Sequence, residues 1–199
     1  MNIKEYLGDL TGGSLFITES RIIAESLLKN LPDDEWKSLI VEQNVLQKKS
    51  RQTAIRYART IRGRIEGLGE EFMSRLLAAN ERAYVQMLMM ALLIHSPIVA
   101  DFMRFSLVEA RRTYKPNLAS DAWLEFYDTR VRAYSELGEF ADSTIKKMGN
   151  NTIKALVDSD YLSDSRTKKL QNVYLMPEVK DWLVHVGRND LIDVMECTV

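Results

Sequence analysis

The sequence of 199 residues has few of the residues that cross-link or interrupt small folds: one cysteine, four prolines and nine glycines. A single cysteine, Cys197, excludes a disulfide framework and a cysteine-based metal site, and it fits a reducing compartment. No apolar run with a small-residue cleavage site follows Met1, so no secretory signal is predicted and we expect a cytoplasmic protein. The hydrophobic content of 46% is enough for a core without cross-links.

Catalytic motifs are also missing. The sequence has no nucleophile elbow, no Walker loop, no Gly-x-Gly-x-x-Gly fingerprint and no HExxH zinc motif. Its two histidines, His95 and His185, lie far apart and have no acidic or cysteine partner at ligand spacing, which favours structural roles. We therefore predict a protein that is not an enzyme and that uses no metal, cofactor or small-molecule substrate.

The charge is nearly balanced overall but unevenly distributed. The net charge is −1, yet residues 45–65 contain seven basic residues and no acidic one. Residues 1–44 contain four basic and eight acidic residues, and residues 66–199 contain sixteen and twenty. A concentrated positive field attracts a polyanion even when the whole chain is nearly neutral. The distribution therefore predicts one main anion-binding segment.

That segment is Lys48–Arg64, and its pattern predicts an amphipathic helix over residues 50–66 with Ser50 as the N-cap. Ala54, Ala58 and Ile61 lie on one apolar face of the projected helix. The adjacent arc is polar, and we predict that it contacts DNA through Arg51, Gln52, Arg56, Arg59 and Arg62. Three further cations are predicted to hold neighbouring phosphates: Lys48, Lys49 and Arg64. The alternative is an ordinary solvated basic face.

Two shorter helices are predicted before the basic one. Thr18 is a suitable cap for a helix that Pro32 stops, and the acidic residues 33–35 form the favoured first turn of the next helix. Trp36, Leu39 and Ile40 are predicted to form the buried side of that next helix. Three helices with a basic third member are the arrangement of a helix-turn-helix domain. We predict this unit over residues 1–68.

Residues 69–138 are predicted to form a central helical bundle, which begins with a long apolar helix from Glu70 to about His95. The window from Ala83 to Ala100 contains no charged residue and approaches the length of a transmembrane helix. Gln86, His95 and Pro97 interrupt it, and no aromatic belt flanks it. We expect a buried helix and no membrane insertion, with a membrane span as the alternative.

Residues 139–199 are predicted to form a winged-helix-like unit. A helix over residues 142–158 is followed by a small β hairpin, whose strands would be Tyr161–Leu162 and Leu170–Leu175. Its cations are a possible second DNA surface: Lys146, Lys147 and Lys154 on the helix, and Arg166, Lys168 and Lys169 at the hairpin tip. The alternative is a solvated loop.

Other patterns extend over nearly the whole chain. They are the Thr11-Gly12-Gly13 turn with Glu19 and Ala24 after it, the Leu46–Ser50 lead into Thr53–Arg56, the spaced Arg59, Arg62 and Arg64, the uncharged helix near Met87–Ile94, and Trp123–Phe126. Together they resemble the BrxA family, which consists of small components of bacterial BREX phage-defence systems. The resemblance implies a non-enzymatic accessory protein with helix-turn-helix-like units at both ends, which binds double-stranded DNA and works with other BREX subunits.

The sequence thus predicts a mainly α protein that binds duplex DNA chiefly through phosphate contacts, which position a protein without reading the base sequence. The alternative function is a protein-interaction adaptor that docks its basic helix on an acidic partner subunit. RNA binding is less favoured, because Tyr57 is the one aromatic residue among the basic ones and single-strand binding uses stacked aromatic side chains.

Overall fold

Local sequence signals mark the start of five helices in the computed structural model, which describes residues 2–197. The side chains of Asn2, Ser50 and Asn80 each accept a hydrogen bond from a backbone N–H group in the first turn of the helix that follows. Pro97 and Pro177 occupy first-turn positions, where a missing N–H group costs nothing.

The described residues form twelve α-helices: α1 Ile3–Leu7, α2 Ile17–Leu28, α3 Asp33–Val41, α4 Arg51–Ile65, α5 Gly69–Ala78, α6 Glu81–His95, α7 Pro97–Phe102, α8 Val108–Arg112, α9 Ala122–Ala133, α10 Asp142–Asp158, α11 Pro177–His185 and α12 Asp190–Glu196. A π-helical turn, Met103–Leu107, joins α7 to α8. The prediction of a mainly α protein is confirmed.

The core is continuous and has α6 at its centre. Ten of the eleven residues of α6 from Ala83 to Leu93 are buried, the exception being Val85, so the helix is enclosed on nearly all sides. It packs against α1, α4, α5, α7, α11 and α12. One cluster of buried side chains extends from Tyr6 to Cys197. The predicted buried helix is confirmed, whereas the boundaries at residues 68 and 138 stay a prediction.

The predicted helix from Glu70 to His95 is interrupted at Asn80, which caps α6. The uncharged window is also divided, because α6 and the helical segment Pro97–Arg112 meet at a bend of 106°. Among residues 2–197, no single helix is long and apolar enough to cross a bilayer.

The predicted hairpin near residue 165 does not form strands in the described part of the chain. Only isolated bridges occur there, Leu162 with Leu170 and Asn117 with Lys169. The reason is that residues 168–170 share their backbone hydrogen bonds with residues 116–118 as well as with Ser163. The next segment then bonds to α6, because the Gln86 side chain donates to Tyr174 O and accepts from Met176 N.

The three helices α2, α3 and α4 pack together through α4, which contacts both of the others. The connection from α3 to α4 covers residues 42–50 and is longer than the turn of three or four residues in a helix-turn-helix motif. The helix-turn-helix interpretation therefore stays a prediction, with this departure from the usual turn.

Gly149 of α10 packs directly against the Trp123 ring of α9, and its replacement tests that packing. A Cβ atom at Gly149 would lie 2.7 Å from Cγ of Trp123. We expect Gly149→Ala to lower the free energy of unfolding by about 1–2 kcal/mol, because overpacking outweighs the gain in helix propensity. Urea unfolding measures the change. Gly67→Ala is the control, since a Cβ there meets no atom within 4 Å; an equal loss in both variants would contradict this account.

Candidate nucleic-acid interface

Helix α4 has a buried face and a cationic face, as its pattern predicts. Ser50 caps it by accepting a hydrogen bond from Thr53 N at 3.2 Å. Ala54, Ala58 and Ile61 are buried in the core. The exposed side chains form what we call the α4 arc, which consists of Lys49, Arg51, Gln52, Arg56 and Arg59. These are five of the eight residues predicted to bind DNA.

Arg62 borders the α4 arc but is engaged within the protein. Its guanidinium group donates to both carboxylate oxygens of Glu66, at 2.7 and 2.9 Å, and lies 5.2 Å from the ring centroid of Trp36. These hydrogen bonds raise the pKa of Arg62 and lower the pKa of Glu66. A phosphate would therefore have to compete with Glu66 for Arg62.

Lys48 is half-buried and also has internal partners. Its ammonium group pairs with the Glu19 carboxylate at the start of α2 and lies 4.9 Å from the ring centroid of Tyr57. The Tyr57 ring in turn packs against Phe16 at a centroid distance of 4.4 Å. Lys48 thus ties α2 to α4, and the field that it adds to the surface is partly cancelled by Glu19.

Arg64 lies inside the protein, contrary to the prediction that it holds a phosphate. The residue is 6% exposed. Its guanidinium group donates to Asp9 Oδ1 at 2.9 Å, to Gly13 O at 2.9 Å and to Ser14 O. Burial lowers the pKa of Arg64, and Asp9 opposes that shift. Arg64 projects from the side of α4 opposite the α4 arc, so its role is to hold the loop before α2.

The second predicted surface is only partly available. Lys146, Lys147, Arg166 and Lys169 are exposed. Lys154 is exposed but pairs with Asp158 at 3.0 Å on the same helix. Lys168 is half-buried and donates to Ser120 O at 2.8 Å.

The loop that carries Arg166 and Lys168 is held by one carboxylate. Asp164 accepts hydrogen bonds from the backbone N–H groups of Arg166 and Thr167 and from the hydroxyl groups of Ser163 and Thr167. These bonds hold the pKa of Asp164 well below its usual range. The loop therefore presents its cations from a compact turn and not from two strands.

A cleft brings the two predicted surfaces together. It has a volume of about 450 Å³ and lies between α4, α10 and the loop before α2. Arg56 and Tyr57 border it on one side, and Lys147, Asn151 and Lys154 border it on the other. We call it the α4–α10 cleft. Its position shows that cations about 90 residues apart in sequence share one depression of the surface.

A second depression continues this surface. Lys154 and Asp158 also line a cleft of about 490 Å³ that extends to Ser165 and Lys168. Arg56, Lys147, Lys154 and Lys168 therefore line two clefts that share Lys154 and Asp158. Two acidic residues line these clefts: Asp158, which accepts from Lys154 and from the Ser14 hydroxyl, and Glu19, which pairs with Lys48.

The other edge of α4 is different in character. A groove of about 500 Å³ lies between α3 and α4, and its lining includes Trp36, Ile40, Val41 and Ile55. We call it the α3–α4 groove. Ile55 is 39% exposed and faces this groove, between the cations of the α4 arc and the buried face of α4. The α4 arc thus has a polar cleft on one side and an apolar groove on the other.

The possible metal-ligating residues of the described part of the chain are not grouped into a site. No group of three or more histidine, cysteine, aspartate or glutamate residues among residues 2–197 is placed to hold a metal ion. His95 Nε2 lies 3.8 Å from Asp9 Oδ1, and burial lowers the pKa of His95. His185 packs its ring against Trp182 at 5.0 Å. His95 is half-buried and His185 is exposed.

Two features of this surface were not predicted from the sequence. Asn151 in the α4–α10 cleft carries no charge and so gave no signal; it donates to Leu10 O at 2.8 Å. The α3–α4 groove had a signal in Ile55, an aliphatic residue among arginines, but α3 was expected to bury Trp36 and Leu39, which stay half-exposed.

Comparisons with known proteins agree with one another. Over residues 4–187 the chain matches the protein family described as BrxA. The "BREX protein BrxA" of Escherichia coli O9:H4 (strain HS) is 42% identical over 195 residues, which cover 98% of this chain and 92% of that protein. The "BREX protein BrxA" of Paramagnetospirillum magneticum (strain ATCC 700264 / AMB-1) is 31% identical over 178 residues, or 89% of each chain.

A solved structure has the same fold. It is the crystal structure of an uncharacterized protein from Magnetospirillum magneticum, which matches with a TM-score of 0.86 and 28% sequence identity. The match covers 98% of this chain and 100% of that chain. The likeness therefore applies to the whole architecture, from α1 to α12.

The position of Arg64 predicts that two arginines of one basic segment respond differently to truncation. We expect Arg64→Ala to lower the free energy of unfolding by about 3 kcal/mol, because it leaves Asp9 and two carbonyl groups without their cation. Arg59→Ala, on the exposed face, is the matched control and should change stability by less than about 0.5 kcal/mol. Urea unfolding followed by circular dichroism compares them; similar losses would refute the structural role of Arg64.

Proposed function

The chain belongs to the BrxA family and is a component of a BREX system, and on that premise we propose that it is a non-enzymatic accessory protein that binds double-stranded DNA. It does so in the cytoplasm as part of phage defence. The DNA lies along the α4 arc, over the α4–α10 cleft and against the loop after α10.

The group of cations around the α4–α10 cleft carries this proposal. Arg56, Lys147 and Lys154 border one cleft although they come from helices far apart in the chain. A polyanion that contacts the α4 arc and extends over the cleft therefore also contacts Lys147 and Lys154 on α10. Attraction of this kind acts through the summed field, so it operates in a chain whose net charge is −1.

Most of the contacts are to phosphates. Lys49, Arg51, Arg56 and Arg59 are exposed on long flexible side chains, which suits the evenly charged backbone of a duplex. Gln52 is the polar side chain of the α4 arc that can form paired hydrogen bonds with adenine, if α4 enters the major groove. The affinity accordingly depends strongly on salt concentration and only weakly on the base sequence of the DNA.

The finer architecture in this proposal is a variant of two known motifs. Helix α4 acts as the recognition helix of a helix-turn-helix unit with a lengthened connection before it. Helix α10 and the compact loop at Asp164 act as a winged-helix-like unit in which a turn replaces the β hairpin. Both units contribute cations to the same side of the protein.

A double charge reversal on the α4 arc tests the proposal. We expect Arg56→Glu/Arg59→Glu to weaken binding to a labelled duplex by tenfold or more, measured by fluorescence anisotropy at several salt concentrations. If the protein neutralises about four to six phosphates, log affinity falls against log salt with a slope near −4 to −5. The double variant should reduce the magnitude of that slope by about 2.

Lys115→Glu/Arg132→Glu is the matched control, because both residues are exposed, lie outside the α4–α10 cleft, and change the net charge by the same amount. It should bind DNA within about twofold of the unmodified protein. Unchanged affinity and slope in Arg56→Glu/Arg59→Glu, or an equal loss in the control, would rule out the α4 arc as the DNA surface.

A further inference from the structure

The α3–α4 groove is an apolar feature beside a cationic surface. Its walls and floor come from Trp36, Ile40 and Val41 on α3 and from Ile55 and Ala58 on α4. Of these, Ile40 and Ala58 are buried and the other three remain at least partly open to solvent. Ile40 is the one buried residue of α3 among the residues described. The apolar face of α3 is therefore only partly covered by the rest of the chain.

The DNA-binding function accounts poorly for this groove. A phosphodiester backbone is charged and strongly hydrated, so it gains nothing from an apolar depression. It is instead matched by the polar α4–α10 cleft on the other side of the helix. The groove has a volume of about 500 Å³, which is large enough for the apolar side chains of a docked segment.

The rim of the groove specifies the charge of its occupant. Lys37, Arg59 and Arg62 line the groove, and Glu66 is the carboxylate that lines it. Glu66 is already bonded to Arg62, and Asp33 also acts on Arg62 from the start of α3. Lys37 and Arg59 form no ion pair among residues 2–197. Two cations are therefore available beside an apolar floor.

We propose that the α3–α4 groove binds an acidic amphipathic segment of a partner protein, which inserts two or three aliphatic or aromatic side chains and pairs its carboxylates with Lys37 and Arg59. Helix-in-groove recognition uses this combination of apolar anchors at helical spacing and complementary charge at the edge.

This site shares Arg59 with the DNA surface, and in that respect the inference rests on the proposed function. Arg59 belongs to the α4 arc and also lines the α3–α4 groove. A carboxylate paired with Arg59 removes a cation from the DNA surface and adds a negative charge beside it. Partner and DNA therefore compete, and each lowers the affinity for the other by the same factor.

A labelled model peptide tests the groove in the full-length protein. The probe is a helix-forming peptide with leucine at i, i+4 and i+7 and glutamate at most other positions. Two comparison peptides replace either the leucines with serine or the glutamates with glutamine. We expect the probe to bind saturably and each comparison peptide to bind at least about tenfold more weakly, since both anchors and charge are needed.

Trp36 provides a second, independent readout. It lines the groove and is partly exposed, whereas Trp123 and Trp182 are buried. Binding of the probe should shift the tryptophan emission to shorter wavelength, and Trp36→Phe should abolish the shift. A shift that persists in Trp36→Phe would place the peptide elsewhere and overturn the proposal.

Matched variants separate the groove from the DNA surface. Ile55→Gln should weaken the probe about tenfold and leave DNA affinity within twofold, because Ile55 is an apolar groove residue. Phe105→Gln is the control, since Phe105 is 52% exposed and lies on the π-helical turn. It should affect neither ligand. Unlabelled probe should also displace labelled DNA from the unmodified protein.

Each failure has its own meaning. If DNA does not bind, but the probe binds and Ile55→Gln weakens it, the proposed function fails. The α3–α4 groove then remains the peptide site, without competition from DNA. If the serine peptide binds as tightly as the probe, or if the probe does not bind saturably, the proposed peptide site is overturned. An equal loss of DNA affinity in Ile55→Gln assigns the groove to the DNA interface. If the protein is a dimer and Ile55→Gln dissociates it, the groove binds a second copy of the chain. This result and an equal loss of DNA affinity each overturn the proposal.

Discussion

The buried guanidinium group of Arg64 is the contact on which the candidate interface depends. It comes from the inner side of α4 and holds Asp9 and the carbonyl groups of Gly13 and Ser14, so it holds the loop before α2 against α4. That loop then reaches α10, because the Ser14 hydroxyl donates to Asp158. Asp158 in turn pairs with Lys154, a residue of the α4–α10 cleft. One chain of polar contacts therefore connects the inner face of the basic helix to the second group of cations. The desolvation of Arg64 is costly, and the three oxygen acceptors around it offset that cost.

Helices were largely predictable from this sequence and contacts between them were not. The Ser50 cap and the spacing of Ala54, Ala58 and Ile61 predicted α4 within one residue at each end, because caps and periodicity are local properties. Helix α10 likewise begins and ends where it was predicted. The predicted hairpin was wrong for a reason that lies outside the segment: residues 116–118 and the side chain of Gln86 bind backbone groups that strands would have used. No local pattern contains those partners.

The same limit applies to the basic residues. Charge counts place Arg51, Arg59 and Arg64 in one class, yet Arg64 is enclosed by oxygen acceptors from a loop about fifty residues earlier in the chain. Lys48 and Arg62 fall between these cases, since each has one carboxylate partner and one aromatic ring beside it. A helical projection of α4 shows that Arg64 points away from the α4 arc. It cannot show that oxygen acceptors of Asp9, Gly13 and Ser14 surround its guanidinium group. Tertiary structure therefore sorts a uniform run of cations into an anchor, two partly satisfied side chains and a set of exposed ones.

The anchoring of α4 also bears on how DNA and a partner protein would influence each other. Helix α4 is packed against α2, α3 and α6 and is held by Arg64 from within, so it has no simple way to rotate or move outward when a ligand binds one edge. Coupling between the α4–α10 cleft and the α3–α4 groove then has to come from shared groups and local charge, and not from a second arrangement of the helix. Arg59 is the residue common to the α4 arc and the groove, and it can neutralise a phosphate or a carboxylate but not both fully. Competition through one shared arginine requires no conformational change, which suits a small protein whose core is continuous from α1 to α12.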